Sequence, residues 1–195
     1  MTSQSTATTS ASFSASRAGL NSWQKAIAIA AGSLLTALCA HVSIPLFFTP
    51  VPLTLQPFPI LLLGLLLGPS AAFLSLALYL LEGAAGLPVF TPGAGGMIQL
   101  LGPTGGYLLA YPFAAAATGW LRTKLGPAFA GSLAAAALGS IIVLGAGAMW
   151  LGTVTHLGMA KVWTMSILPF LPGDALKAAA AAGIAAGWTR WRRVN

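Results

Sequence analysis

Two ionisable side chains, Asp174 and Lys177, stand three residues apart near the start of an apolar stretch. Residues three apart on an α-helix project from the same face, so a helix here would bring these two side chains together. The carboxylate could accept N–H donors of a ligand while the ammonium neutralises a ligand anion. Alternatively, Asp174 complements the positive N-terminus of the helix and Lys177 only pairs with it. The sequence leaves both interpretations open.

A second polar pair, Thr54 and Gln56, follows two prolines at positions 50 and 52. Proline fixes the backbone dihedral φ and favours an extended, stiff path for the residue before it. Side chains two apart on an extended chain lie on the same side, so Thr54 and Gln56 would present their hydrogen-bonding groups together. The pattern predicts either part of a binding site or an ordinary connection between helices.

A third candidate segment, residues 82–107, is rich in glycine and contains Gly96, Gln99 and Tyr107. Glycine permits positive φ and a close approach of the backbone to a small molecule. No Gly-Lys-Ser/Thr follows these glycines, which excludes a phosphate loop. Glu82, at the start of this segment, is expected to end a helix near the membrane interface. Tyr107 is either a pocket wall or an aromatic side chain of the membrane interface.

Other kinds of chemistry find little support in the sequence. His41 and His156 have no partner at the spacing of metal ligands, so we expect no metal site. The single cysteine, Cys39, excludes an intrachain disulfide. An intramembrane enzyme using Asp174 or Glu82 as an acid–base group would need a second reactive group, and none stands at a suitable spacing.

The composition identifies the solvent of this chain as lipid. Of its 195 residues, 57% are hydrophobic and only 6% are charged, whereas soluble domains carry roughly 25% charged residues. Seven of the nine Lys and Arg residues lie at the ends or in the short flanks of apolar spans, which is where cytoplasmic Lys and Arg accumulate. Because these cations form no continuous basic stripe, we expect no nucleic-acid binding.

Six apolar stretches predict an all-α integral membrane protein, with six transmembrane helices in one bundle: residues 23–44, 53–67, 71–81, 104–121, 129–151 and 173–188. The second and third are short for a spanning helix, which needs roughly 20 residues, and residues 60–81 as one helix would give five spans. The Gly68-Pro69 pair favours a chain reversal. Only six spans place both Arg122 and the C-terminal arginines on the cytoplasmic side, together with both termini.

This topology predicts a tail, one domain and three outer loops. Residues 1–22 are rich in Ser, Thr and Ala and are expected to be a disordered cytoplasmic tail, and residues 23–195 a single transmembrane substrate-binding domain. The long connections 45–55, 82–103 and 152–172 then share the outer side, where irregular backbone is tolerated if it lines a cavity. On the first helix, Ala26 and Ala30 would let another helix approach closely.

Four segments, in this order and spacing, resemble the signature segments of the BioY family: Thr49-Pro-Val-Pro-Leu-Thr-Leu-Gln56, Gly86-Leu-Pro-Val-Phe90, Gly102-Pro-Thr-Gly-Gly-Tyr107 and Pro169-Phe-Leu-Pro-Gly-Asp174-Ala-Leu-Lys177. The resemblance implies a substrate-capture (S) component of an energy-coupling factor (ECF) transporter, a multi-pass protein of the bacterial cell (inner) membrane that takes up biotin. It implies no cofactor for this chain. A transmembrane coupling subunit and ATPase subunits would supply the energy, and only the latter use ATP.

The same resemblance implies roles for individual residues. Asp174 falls where the family places an acid that binds the ureido ring of biotin, and Lys177 where it places a cation for the valerate carboxylate. The face of Ala26 and Ala30 would contact the coupling subunit. Some relatives have an Asn where this chain has Ala94, and Gln99 or Gln56 would then supply that amide. The alternatives are an S component for another vitamin, such as riboflavin or thiamine, and a non-transport intramembrane enzyme.

Overall fold

The computed structural model of the chain describes residues 21–91 and 96–194. Eight helices account for most of this part of the chain: α1 Ser22–Ala40, α2 Pro57–Leu67, α3 Pro69–Ala84, α4 Met97–Leu101, α5 Gly105–Leu125, α6 Phe129–Thr155, α7 Met159–Ser166 and α8 Leu171–Val194. Two short strands, β1 Ser43–Ile44 and β2 Leu53–Thr54, pair antiparallel between α1 and α2. The predicted tail up to residue 20, and Ala94, lie outside the described residues.

The helices are those of a membrane protein. Within the described ranges, α1 and α6 are long and apolar enough to cross a bilayer, and α7 and α8 add a third candidate if they form one span bent by 49°. The apolar helices α2 and α3 are shorter. The all-α prediction is therefore confirmed, whereas the number of six spans stays a prediction.

Several predicted boundaries are wrong for local reasons. The first span was expected to reach residue 44, but α1 ends at Ala40 and the chain turns into strand β1. The second was expected from residue 53, but α2 begins at Pro57, since proline is favoured in the first turn of a helix, where no N–H is needed. The segments 82–103 and 152–172 are also not entirely irregular, because they contain the short helices α4 and α7.

Helix α2 lies at the centre of the bundle. It packs against α1, α3, α5, α6 and α8, and seven of its eleven residues are buried. A helix that is hydrophobic on all sides belongs in such a position. Gly64 brings α2 close to α5, because a Cβ at Gly64 would lie only 2.5 Å from the carbonyl oxygen of Ala115. The central helix thus fixes the spacing of its neighbours.

The two ends of the bundle differ in character. Residues that begin α2, α5 and α8 meet around one cavity, together with strand β2. At the opposite end, the last turns of the same three helices meet the first turns of α1 and α3 around a second recess. There the Arg122 guanidinium donates hydrogen bonds to the carbonyl oxygens of Leu65 in α2 and Ala185 in α8. The up-and-down order of the chain follows from these contacts.

Candidate binding site

The cavity at the first end brings together six of the seven residues predicted to bind a ligand: Thr54, Gln56, Gln99, Tyr107, Asp174 and Lys177. Its remaining walls are largely apolar, from residues such as Val51, Leu144 and Phe170. Concave sites with apolar walls and a few convergent polar groups are typical of small-molecule binding. The cavity volume is about 40 Å³, room for roughly three water molecules. A ring-bearing ligand would therefore require lining side chains to move.

Asp174 and Lys177 form an ion pair on the wall of this cavity. Asp174 lies in the first turn of α8, where the ammonium nitrogen Nζ of Lys177 is 3.1 Å from its Oδ1. The two side chains are 5% and 11% exposed. They touch because the helix places residues three apart on one face. A clamp that holds opposite ends of a ligand would therefore require Lys177 to leave Asp174.

The second carboxylate oxygen of Asp174 is buried and has no hydrogen-bond partner among the described residues. Asp174 also makes no side-chain bond to a backbone N–H there, so hydrogen bonding gives no support to a helix-capping role. An unpaired buried acceptor costs free energy, roughly 1–3 kcal/mol or more for a charged group. A ligand N–H group bound to Oδ2 would remove that cost.

Gln56 is the centre of a buried hydrogen-bond network. Its Nε2 donates to the hydroxyl of Tyr79 at 2.6 Å, and its Oε1 accepts from Thr54 at 3.2 Å and from Tyr111 at 3.4 Å. The Tyr79 hydroxyl in turn donates to the carbonyl of Val89 at 3.0 Å. An amide nitrogen carries two N–H donors, and the second has no recorded acceptor within residues 21–91 and 96–194. Gln56 lines the cavity, which places its amide beside the space that a ligand would occupy.

The sequence analysis missed Tyr79 and Tyr111. Tyr79 is completely buried and Tyr111 is 4% exposed, and Tyr111 lines the cavity. A signal existed for Tyr111, since it stands one helical turn after Tyr107 and so shares its face. No local signal exists for Tyr79, which reaches Gln56 from a different helix.

The glycine-rich segment contributes unequally to the site. The Tyr107 hydroxyl donates to the Ser166 carbonyl at 2.9 Å and the side chain is buried, which makes Tyr107 a pocket wall. The Gln99 amide donates to the Thr104 hydroxyl at 3.2 Å, and both residues line the cavity. Gly96 is not part of that lining. It adopts a φ of 70° before α4, and a Cβ there would meet no atom within 4 Å, so its role is to turn the chain.

Three further residues lie away from the cavity. Ala26 and Ala30 are exposed on α1, where a partner helix could reach them. Glu82 was expected to end a helix near the membrane interface. It lies in the last turn of α3, which ends at Ala84, so this helix end is confirmed, and its carboxylate accepts a hydrogen bond from Ser33 of α1. This bond links α1 to α3. It also supplies the donor that a partly buried carboxylate needs.

A helical membrane bundle with an end cavity of largely apolar walls and a few convergent polar groups is the architecture of a membrane protein that binds a small molecule. Comparison with known proteins specifies the class. The chain belongs to the BioY family, which it matches over residues 7–194. That family is one of transporters, and the expectation of a transporter instead of an enzyme is confirmed by this membership.

The similar proteins carry consistent names. The chain is 41% identical over 151 residues to a probable biotin transporter BioY of Pyrococcus horikoshii, covering 77% of this chain and 87% of the relative. It is 40% identical over 151 residues to the biotin transporter BioY of Thermotoga maritima, with the same coverage of both chains. A crystal structure of the S-component for biotin from an ECF-type ABC transporter matches with a TM-score of 0.80 and 31% identity. That match covers 88% of this chain and 95% of the other.

Proposed function

We propose that this chain captures biotin from the outer side of the bacterial cell (inner) membrane, as the S component of an ECF transporter. The observation that carries the proposal is the buried Asp174–Lys177 pair on the cavity wall, with one carboxylate oxygen left without a donor. Biotin offers the matching groups, because its ureido ring supplies N–H donors and its valerate tail ends in a carboxylate. The names of the relatives support the same ligand.

Binding in this proposal exchanges one ion pair for two ligand contacts. The ureido N–H groups bind Asp174, beginning with its unpartnered Oδ2. Lys177 turns away and pairs with the valerate carboxylate, and hydrogen bonds from the ureido N–H groups replace its contact with Asp174. The unengaged N–H of Gln56 donates to a ligand oxygen, and Phe170 and Val51 pack against the apolar part of the ligand. Rearrangement of Lys177 also gives the narrow cavity part of the room it needs.

The proposed topology has six spans: α1, α2, α3, α5, α6 and α8. Both termini are then cytoplasmic, and α4, α7 and the β1–β2 hairpin lie at the outer end near the cavity. The basic residues at the opposite end, Lys25, Arg122 and Arg192, support this orientation because cytoplasmic flanks of spans accumulate Lys and Arg. Helices α2 and α3 are short for membrane-spanning helices. In this proposal a short α2 is tolerated because it is buried among its neighbours.

Transport energy in this proposal comes from partner subunits. The sequence contains no phosphate loop, and in this proposal only the partner subunits use ATP. A transmembrane coupling subunit docks on α1 at Ala26 and Ala30, whose small, exposed side chains permit the close approach of another helix. The ATPase subunits then act through that coupling subunit.

Competition binding tests the choice of vitamin. Purified full-length chain in detergent is loaded with radiolabelled biotin and challenged with unlabelled biotin, riboflavin or thiamine. Unlabelled biotin should displace the label, while riboflavin and thiamine at a hundredfold higher concentration should not. Displacement by riboflavin or thiamine at the concentration effective for biotin would favour an S component for another vitamin.

A further inference from the structure

A basic recess lies at the end of the bundle opposite the cavity. It is lined by the cations Lys25, Arg122 and Arg192 and by Trp188 of α8. Residues 65–67 and Ala71 supply its apolar walls. The chain has only two acidic residues, Glu82 and Asp174, and neither lines this recess. The one ion pair of the described chain is Lys177–Asp174. Three positive charges therefore converge here without a carboxylate from residues 21–91 or 96–194.

The three cations of the recess differ in burial and in their contacts. Arg122 is half-buried, and its guanidinium donates to the carbonyl oxygens of Leu65 and Ala185 and, at 2.9 Å, to the Thr189 hydroxyl. These neutral acceptors fix its position without cancelling its charge. Arg192 and Lys25 are exposed, and the Arg192 guanidinium stands 5.2 Å from the centre of the Trp188 ring. A half-buried cation fixed by hydrogen bonds, with two exposed cations beside it, suits an anionic ligand.

We infer that this recess binds the phosphate group of an anionic phospholipid. Basic pockets between transmembrane helices on the cytoplasmic side are known to receive such headgroups. A lipid fits better than free phosphate because leucine and alanine side chains continue the wall beyond the cations and would meet the glycerol and acyl parts. The recess, about 840 Å³ in volume, is also much larger than a lone phosphate needs. Trp188 is a side chain typical of the membrane interface.

The experiment counts lipid retained by the full-length chain. Purified protein in a mild detergent is titrated with phosphatidylglycerol or phosphatidylcholine, and bound lipid is measured by native mass spectrometry. The variants are Lys25→Gln, Arg192→Gln and their combination. Lys124→Gln is the matched control, because Lys124 is an exposed cation at the same end of α5 that does not line the recess. Arg122 is left unchanged because it ties three helices together.

The wild type should retain phosphatidylglycerol in preference to phosphatidylcholine. Each recess variant should weaken that binding about fivefold and the double variant about 25-fold, since a cation near a charged lipid surface contributes about 1 kcal/mol. Lys124→Gln should leave binding within twofold, and 10 mM inorganic phosphate should not displace the lipid. All variants should still bind biotin, which separates this inference from the proposed function.

Three results would overturn the inference. Equal loss in Lys124→Gln would mean that general positive charge, and not this recess, attracts the lipid. Displacement by inorganic phosphate would make the recess a site for a soluble anion. Unchanged lipid retention in the double variant would mean that the lipid binds elsewhere than in this recess.

Discussion

Lys177 is the residue on which the proposed mode of biotin binding depends most. Replacing Lys177 by Ala removes the cation proposed for the valerate carboxylate and also leaves Asp174 without its 3.1 Å partner. A hydrogen bond to a charged group contributes about 1.5–3 kcal/mol net, which corresponds to roughly a 10- to 150-fold increase in Kd. The lower part of that range is the better expectation, because Lys177 must first give up Asp174 in the wild type.

The assay compares two ligands that differ only at the end of the valerate chain, where an uncharged amide replaces the carboxylate. Calorimetric titration of the Lys177→Ala protein should show biotin weakened by the factor above, and the uncharged biotin amide weakened by less than about threefold, since that ligand carries no anion for Lys177 to neutralise. Lys161→Ala is the control, because Lys161 is an exposed lysine on α7 that does not line the cavity. Equal weakening of biotin and its amide would refute the carboxylate role of Lys177.

Three more substitutions test other parts of the account. Asp174→Asn replaces an acceptor oxygen by an N–H donor that faces the ureido N–H groups, so Kd for biotin and for its amide should both rise by about 30-fold or more; unchanged affinity would remove Asp174 from the site. Tyr79→Phe breaks the link from Gln56 to Val89 and should weaken biotin about fivefold, whereas an effect on thermal stability alone would limit Tyr79 to a structural role. Gly64→Val places side-chain atoms against the Ala115 carbonyl and should destabilise the fold by about 1–3 kcal/mol, seen as a lower thermal midpoint; Gly187→Ala, where a Cβ meets nothing within 4 Å, should not.

Local spacing predicted those parts of the site that lie on one element. Asp174 and Lys177 meet because three residues on a helix share a face, and Thr54 and Gln56 come together because they are two apart where the chain leaves strand β2. The central position of α2 was not predicted, although its hydrophobicity on all sides is the pattern of a buried helix. A short apolar stretch does not by itself distinguish a helix that crosses the bilayer from one that is buried among five other helices.

Contacts between distant elements could not be predicted in this way. The bond from Tyr107 to the Ser166 carbonyl joins residues 59 apart in sequence, and it decides between pocket wall and interface aromatic. Glycine and proline near α4 and α7 favour loops, but tertiary packing overrides such weak local propensity, and both segments are helical. The hydrogen bond of Glu82 is a contact of the same kind, since its Ser33 donor belongs to the neighbouring helix α1.

Calorimetric titration of biotin into the purified wild-type chain, alone in detergent, is the most direct test of the central claim. The account predicts saturable binding of one biotin per chain, with affinity that falls when either Asp174 or Lys177 is replaced. Absence of binding by folded protein, or binding that is indifferent to both substitutions, would contradict it.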